Sequence, residues 1–216
     1  MSRVLVICEG QTEAAFVRDC LQPYLLDKGI YVCVENMRGK VSSQRVAHFV
    51  RNNFRSFDKI TTLLDFYGFQ DREQDSRQAL EAFIAMTAQG IMPQADMTEK
   101  FLPYVQMYEF EGLLFSDVSQ FEWVQDGWNT DTERQLQAIC NAFDNPELIN
   151  DSPLTAPSKR LGAIFAHHYK KVEHGSIIAE SIGLQTIREQ CPNFNEWLAR
   201  IIVTHSTRSV LFSRKV

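Results

Sequence analysis

The sequence predicts an α/β fold: a parallel sheet of about four strands flanked by helices, with a mostly helical C-terminal extension. Three observations carry this expectation. The first half of the chain alternates strand-like and helix-like patterns in the order β-α-β-α-β-α-β. Its first strand run is continuously apolar with β-branched members, as in a strand buried on both faces. Helical connections between such strands give right-handed crossovers and helices on both sides of a parallel sheet. The expected organisation is an α/β core over residues 1–117 and a helical extension over 118–216, packed together as one unit.

The first strand is Val4-Leu5-Val6-Ile7-Cys8, stopped by Glu9-Gly10. Gly10 accepts either sign of φ and makes the turn that follows cheap. Thr12 caps a helix to about Lys28, with Phe16, Val17, Cys20, Leu21 and Tyr24 as its apolar stripe. Pro23 falls inside that stripe and predicts a kink or an early stop. Residues 30–37 form the second strand, followed by the Arg38-Gly39-Lys40 turn and a helix opened by Ser42 and Ser43. On that helix Val46, Phe49, Val50 and Phe57 share one face, roughly opposite Arg45, His48, Arg51 and Arg55. Residues 59–64 form the third strand, ending at Asp65 and a Phe66-Tyr67-Gly68 turn. A helix over 76–89 follows, stopped by Gly90. The fourth strand spans 101–107, and its Pro103 favours an early or edge position. Beyond Glu109 the pattern is helices and loops, with turn chemistry at 145–146 and 150–153 and helices over 132–143, 158–169, 176–182, 184–190 and 192–202. The tail after Thr204, with His205, Arg208, Arg214 and Lys215, reads as loose and mildly basic.

A chain of 216 residues with 44% hydrophobic and 23% charged residues can bury a real core. No apolar stretch approaches the ~18 residues of a membrane span, and the N-terminus lacks a signal-peptide layout, so a cytoplasmic protein is expected. The five cysteines, Cys8, Cys20, Cys33, Cys140 and Cys191, show no C-x-x-C spacing and suggest neither a zinc ribbon nor a disulfide framework. The net charge of −5 argues against indiscriminate nucleic-acid binding. Yet Arg38, Lys40, Arg45, Arg51, Arg55 and Lys59 stand against Asp58 alone, a local basic island.

The chemistry is concentrated where strands end. Parallel sheets bind ligands outside the carboxyl ends of their strands. Glu9, Glu13, Asp65 and the Glu109/Glu111 pair all fall there. Clustered carboxylates without cations of their own repel, unless they hold a hard divalent ion such as Mg²⁺, which takes oxygen ligands. Taken singly, Glu13 also fits a helix-dipole residue, Asp65 an ordinary turn residue, and one of Glu109 and Glu111 a structural role. Glu9 has the least structural reason to follow a buried strand, and the coincidence of all of them favours a metal site. Thr155-Ala156-Pro157-Ser158-Lys159-Arg160 reads either as a capped helix with exposed charges or as a phosphate site at a helix N-terminus. The Arg45, Arg51 and Arg55 face reads as a solvated surface or as a track for a nucleic-acid backbone. His167 and His168 read as structural or surface residues. No P-loop, G-x-S-x-G or H-E-x-x-H motif is present.

The ordered set EGQTE (9–13), TTLLDFYGF (61–69), YEFEGLLFSD (108–117), TAPSKR (155–160) and CPNFNEWL (191–198) resembles an uncharacterised bacterial family with a Toprim-like domain. It is also similar to nucleases of the overcoming-lysogenization-defect (OLD) type. The resemblance covers nearly the whole chain. It implies a Toprim-like sheet and Mg²⁺- or Mn²⁺-dependent phosphodiester chemistry, with Glu9 matching the Toprim glutamate and Glu13 the second acid of OLD-type nucleases. Asp65, Glu109 and Glu111 would complete the ligand set, Glu109 as ligand or general base, with Lys159 and Arg160 at the phosphate. It further implies nucleic acid, DNA or RNA, as substrate, an ABC- or SMC-like ATPase as partner in phage defence or mobile elements, and room for a homo-oligomer. One departure stands out. The usual D-x-D reads Asp65-Phe66-Tyr67 here. Either Glu109 or Glu111 supplies the missing ligand, or one metal is bound tightly, or activity is lost. A non-catalytic module that binds an ATPase or nucleic acid, and a phosphoryl-transfer enzyme acting on nucleotides, are the alternatives.

Overall fold

Strand β1 (Ser2–Cys8) runs between β2 (Ile30–Asn36) and β3 (Lys59–Asp65), with β4 (Phe101–Leu102) at the far side of β3. A computed structural model describes the backbone of residues 1–150 and 152–213, and the side chains of those up to residue 203. The sheet order is β2-β1-β3-β4, and β5 (Val105–Gln106) also pairs with β3. Every one of these pairings is parallel. Cys8 stands opposite both Asn36 and Leu63, so the chain leaves β1 and β3 at the same edge and almost the same height.

Burial on both faces follows from the sequence of β1. Val4, Val6 and Cys8 join one core and Leu5 and Ile7 the other. The second core is closed by helices α3 (Ser43–Asn53) and α4 (Arg77–Ile91), through Val46, Ala47, Val50, Leu80, Ile84 and Ala88. Ser42 and Ser76 cap these two helices, accepting from the backbone N–H groups of Arg45 and Ala79. The first core is closed by α1 (Gln11–Phe16) and α2 (Gln22–Leu26) and by the C-terminal helices α7 (Lys171–Ile182), α8 (Leu184–Gln190) and α9 (Pro192–Ser213). Between them lie 3₁₀ segments at Phe110–Ser116 and Val118–Gly127, then α5 (Thr130–Cys140) and α6 (Pro157–Phe165). The cysteines are all free thiols, with Cys8 and Cys191 buried.

Several elements depart from the sequence pattern for identifiable reasons. Pro23 neither stops nor breaks the first helix. A π-helical turn, Val17–Leu21, joins α1 to α2, and its wider i→i+5 bonding accommodates the N–H that Pro23 lacks. The fourth strand is two short pieces separated at Pro103. There the Thr62 hydroxyl donates to the Tyr104 carbonyl and accepts from its N–H, replacing the missing ladder. The helix expected over 176–182 begins five residues earlier, at Lys171. The helix runs through Gly175, where a Cβ would lie 2.5 Å from the Thr12 methyl group, so the glycine permits α7 to press against α1. Helix α6 ends at Phe165, before His167 and His168, where Ala166 turns to φ 51°. Helix α9 extends through Ser213, past the expected end near residue 202. Asp151 of the 150–153 turn and Arg214 and Lys215 of the tail lie outside the described residues, as do the side chains of His205 and Arg208.

Candidate active site

The carboxyl edge of the sheet gathers the acids. Glu9 leaves the end of β1, and its carboxylate lies over Gly68, in the turn after β3. A Cβ at Gly68 would fall 2.0 Å from Glu9 Oε2, so that close approach requires glycine. Glu13 sits in the first turn of α1, 2% exposed, with Oε2 accepting from the Gly10 N–H at 3.0 Å. Gly10 is extended (φ −138°), so glycine serves there to leave space for that carboxylate rather than to allow a positive φ. Asp65 ends β3, and its Oδ1 accepts from the Phe110 N–H at 2.7 Å, which draws the 3₁₀ segment Phe110–Ser116 onto the edge. That segment delivers Glu111 fully buried. Glu109, one turn-residue earlier, accepts from the Ser158 N–H at 2.8 Å through Oε2. The N-terminus of α6 is thus held by a carboxylate of the protein itself.

At the point the acids share stands an ammonium group. Lys171 Nζ is 3.1 Å from Glu111, 3.3 Å from Asp65 and 3.4 Å from Glu13. Burial alone would depress its pKa, but Asp65, Glu111 and Glu13 outweigh burial and hold it far above the ordinary value. The acids respond the other way. Burial raises Asp65 well above the usual carboxylate range against the pull of Lys171, and raises Glu111 likewise. Glu9 is raised by burial and then by Glu13, with Lys171 and the Asp65 backbone amide opposing. One cation therefore faces more negative charge than it can offset.

The fit to a divalent ion can be judged from the oxygens. Glu9 Oε2 and Glu111 Oε1 are buried without a partner, a state that ordinarily costs free energy, while Glu13 Oε1 and Glu111 Oε2 meet only the Lys171 ammonium. All are hard oxygen donors, the set that suits Mg²⁺ or Mn²⁺. Among the described residues no three Asp, Glu, His or Cys side chains stand ready around one metal position. Lys171 Nζ stands instead where oxygens of Glu13, Asp65 and Glu111 converge. Its side chain is 38% exposed, so the stem has a path to solvent along which the ammonium can withdraw.

The remaining sequence candidates divide. Lys159 is exposed on α6, whereas Arg160 donates to the Thr155 carbonyl and lies over the Phe143 ring. Arg45, at the start of α3, donates to the backbone carbonyls of Met37, Gly39 and Lys40. Arg51 and Arg55 fall at the other end of that helix, which returns toward the starts of the parallel strands. They line a cleft of about 570 Å³ with Phe54, Met92 and Pro93, and none of the acids borders it. Tyr67, in the position of the absent second aspartate, stacks on Tyr108 and accepts from Asn150 Nδ2 at 2.7 Å. It offers no carboxylate.

Two residues at the site escaped the sequence reading. Lys171 did so because its helix was expected to begin only at residue 176. Tyr169 has a buried hydroxyl without a partner, and burial raises its pKa, followed by the field of Glu111. Adjacent lysines at 170 and 171 gave no spacing signal for either.

The model of a family described as "Domain of unknown function (DUF4276)" matches residues 8–202. The chain belongs to this family. Comparison with curated proteins finds no match. Among solved structures, the C-terminal region of the Burkholderia pseudomallei OLD protein is similar at a TM-score of 0.52 and 16% identity, covering 94% of this chain and 99% of that one. The corresponding region of the Xanthomonas campestris pv. campestris OLD protein gives 0.52 and 17%, over 97% and 98%. At this identity the likeness speaks for the fold: the DUF4276 chain shares its mixed α/β architecture with both.

Proposed function

We propose that this DUF4276 protein is a metal-dependent nuclease with a Toprim-like site. The observation that carries the reading is the convergence of Glu13, Asp65 and Glu111 on the Lys171 ammonium, with Glu9 close enough to feel the charges of Glu13 and Lys171 and with an unpartnered oxygen of its own. These four residues would hold Mg²⁺ or Mn²⁺. The bound ion would supply activation of water and stabilisation of the leaving oxygen of a phosphodiester. Lys171, displaced from the acids, keeps its charge and can meet a phosphate oxygen beside them, where charge develops as the bond breaks. Glu109 is anchored to α6 by one oxygen and has the other with which to accept a proton. Lys159 adds positive charge on the same side.

The likeness to OLD proteins and the sequence resemblance support an effector in a phage-defence or mobile-element system, working with an ABC- or SMC-like ATPase. A second reading has its own observation. Because Lys171 already bridges three carboxylates, the cluster can be a self-compensated structural centre in a non-catalytic module that binds an ATPase or nucleic acid. Incubation with plasmid, single-stranded DNA and tRNA separates the two. Cleavage of at least one polymer in Mg²⁺ or Mn²⁺, abolished by EDTA, is expected of the nuclease. The absence of both cleavage and a calorimetric heat with Mn²⁺ would favour the non-catalytic module.

A further inference from the structure

The loop between β2 and α3 has a conformation that an ordinary surface turn does not need. Arg38, Gly39 and Lys40 are successive left-handed residues, with φ of 57°, 75° and 53°. Glycine adopts this region freely, but L-residues with long side chains are strained there. The loop is nevertheless held at every step. The Met37 N–H donates to the Cys8 carbonyl at 2.9 Å and the Gly39 N–H to the Glu9 carbonyl at 3.0 Å. The Arg38 N–H donates to Asn36 Oδ1 at 2.7 Å, and the Gln70 N–H to the Val41 carbonyl at 3.0 Å. Arg45 closes the set by donating to the carbonyls of residues 37, 39 and 40.

The loop is therefore tied on one side to Glu9 and on the other to the chain that follows Gly68, over which the Glu9 carboxylate lies. The side chains it presents are Arg38 and Lys40, both exposed. Asn36, Gly39 and Arg45 are consumed in building it. An acidic centre in a chain of net charge −5 repels a polyanion. A fixed pair of cations next to Glu9 offsets that repulsion, and fixing them in advance reduces the ordering cost of binding.

From this we infer that the 38–40 loop is a preformed clamp for the phosphodiester backbone of a nucleic-acid strand. Arg38 and Lys40 contact phosphates flanking the one at the acids, and Arg45 is the brace that positions them. The inference rests on the nuclease reading for its substrate and goes beyond it in assigning the surface. It also moves the backbone contact away from the Arg45, Arg51 and Arg55 face.

The test measures binding apart from chemistry. Anisotropy of a fluorescein-labelled single-stranded oligonucleotide is followed in Ca²⁺ across a salt series, for wild type, R38Q/K40Q, R38K/K40R and R51Q/R55Q. The first and last variants remove the same charge from opposite edges of the sheet. Loss of two phosphate contacts should flatten the log–log salt slope by about 1.4 and weaken binding roughly 25-fold near 0.1 M salt. R38K/K40R and R51Q/R55Q should bind within about threefold of wild type, and thermal midpoints show that all variants fold. The clamp is overturned if wild type does not bind, if R38Q/K40Q binds like wild type, or if R51Q/R55Q is weakened equally. Hydrolysis of bis(p-nitrophenyl) phosphate in Mn²⁺ is read in parallel on wild type and on R51Q/R55Q, and is expected of both. Hydrolysis with no binding difference leaves the nuclease and removes the clamp. A binding difference with no hydrolysis by any form leaves the clamp and removes the nuclease.

Discussion

Replacing Lys171 with methionine should abolish phosphodiester cleavage and lower the stability of the metal-free protein by about 2–3 kcal/mol. Methionine keeps an unbranched apolar stem out to Cε and removes the terminal ammonium. In wild type that charge lies within 3.4 Å of Glu13, Asp65 and Glu111. Removing one partner of a fully buried ion pair costs roughly 3–5 kcal/mol, a figure discounted here because the Lys171 side chain is 38% exposed. Mn²⁺ should restore much of the lost stability, since the ion and the ammonium neutralise the same oxygens, and should bind the variant more tightly than wild type. Cleavage should not return, because the ammonium that meets the phosphate oxygen beside the acids is gone. Urea unfolding with and without Mn²⁺ checks this. Equal stability of variant and wild type in the absence of metal would show that the Lys171 contacts carry no energetic weight.

The second large effect has opposite signs in activity and stability. Glu9→Gln should reduce cleavage on the order of 10³-fold, the loss expected when one electrostatic element is removed from a preorganised site. Its metal-free form should nevertheless melt above wild type. Glu9 Oε2 is buried without a partner, and Glu13 repels its charge, so a neutral amide is better tolerated there. Acid acts in the same direction. Glu9, Asp65 and Glu111 are all raised in the folded state, so between their unfolded values near 4 and their raised folded values the folded protein binds more protons than the unfolded chain. This contribution to stability is therefore lost as pH rises through that window and gained as pH falls through it. The melting midpoint of metal-free wild type should climb between neutral pH and about pH 5, and Glu9→Gln should climb less. Parallel pH profiles for the two proteins would expose the idea as wrong.

Much of this architecture was legible because burial writes itself into composition. Val4 to Cys8 is apolar on both faces, and residues 60–64 carry only threonines among their apolar and β-branched side chains, as the interior strands of a covered parallel sheet require, and β1 and β3 are those strands. A carboxylate directly after each run marked the edge where a site forms. The illegible parts depended on contacts distant in sequence. The helix expected from residue 176 starts at Lys171, with Gly175 packed against Thr12, a contact the sequence cannot show. With that contact hidden, Lys171 was lost as well. Arg45, read on a helical wheel with Arg51 and Arg55, belonged to one cationic face, but its partners are three carbonyls of the preceding loop. The departure at Tyr67 was visible as a missing acid; that Gly68 beside it receives the Glu9 carboxylate was not.

The proposed site needs Glu9 to join the three carboxylates, Glu13, Asp65 and Glu111, that the Lys171 ammonium now holds. A crystal soaked in Mn²⁺ and measured at a wavelength where manganese scatters anomalously tests it most directly. The predicted result is an anomalous peak ligated by oxygens of Glu9, Glu13, Asp65 and Glu111, with the Lys171 ammonium withdrawn from them. An ammonium still lodged against Glu13, Asp65 and Glu111, with no anomalous density beside it, would contradict the metal site and with it the proposed chemistry.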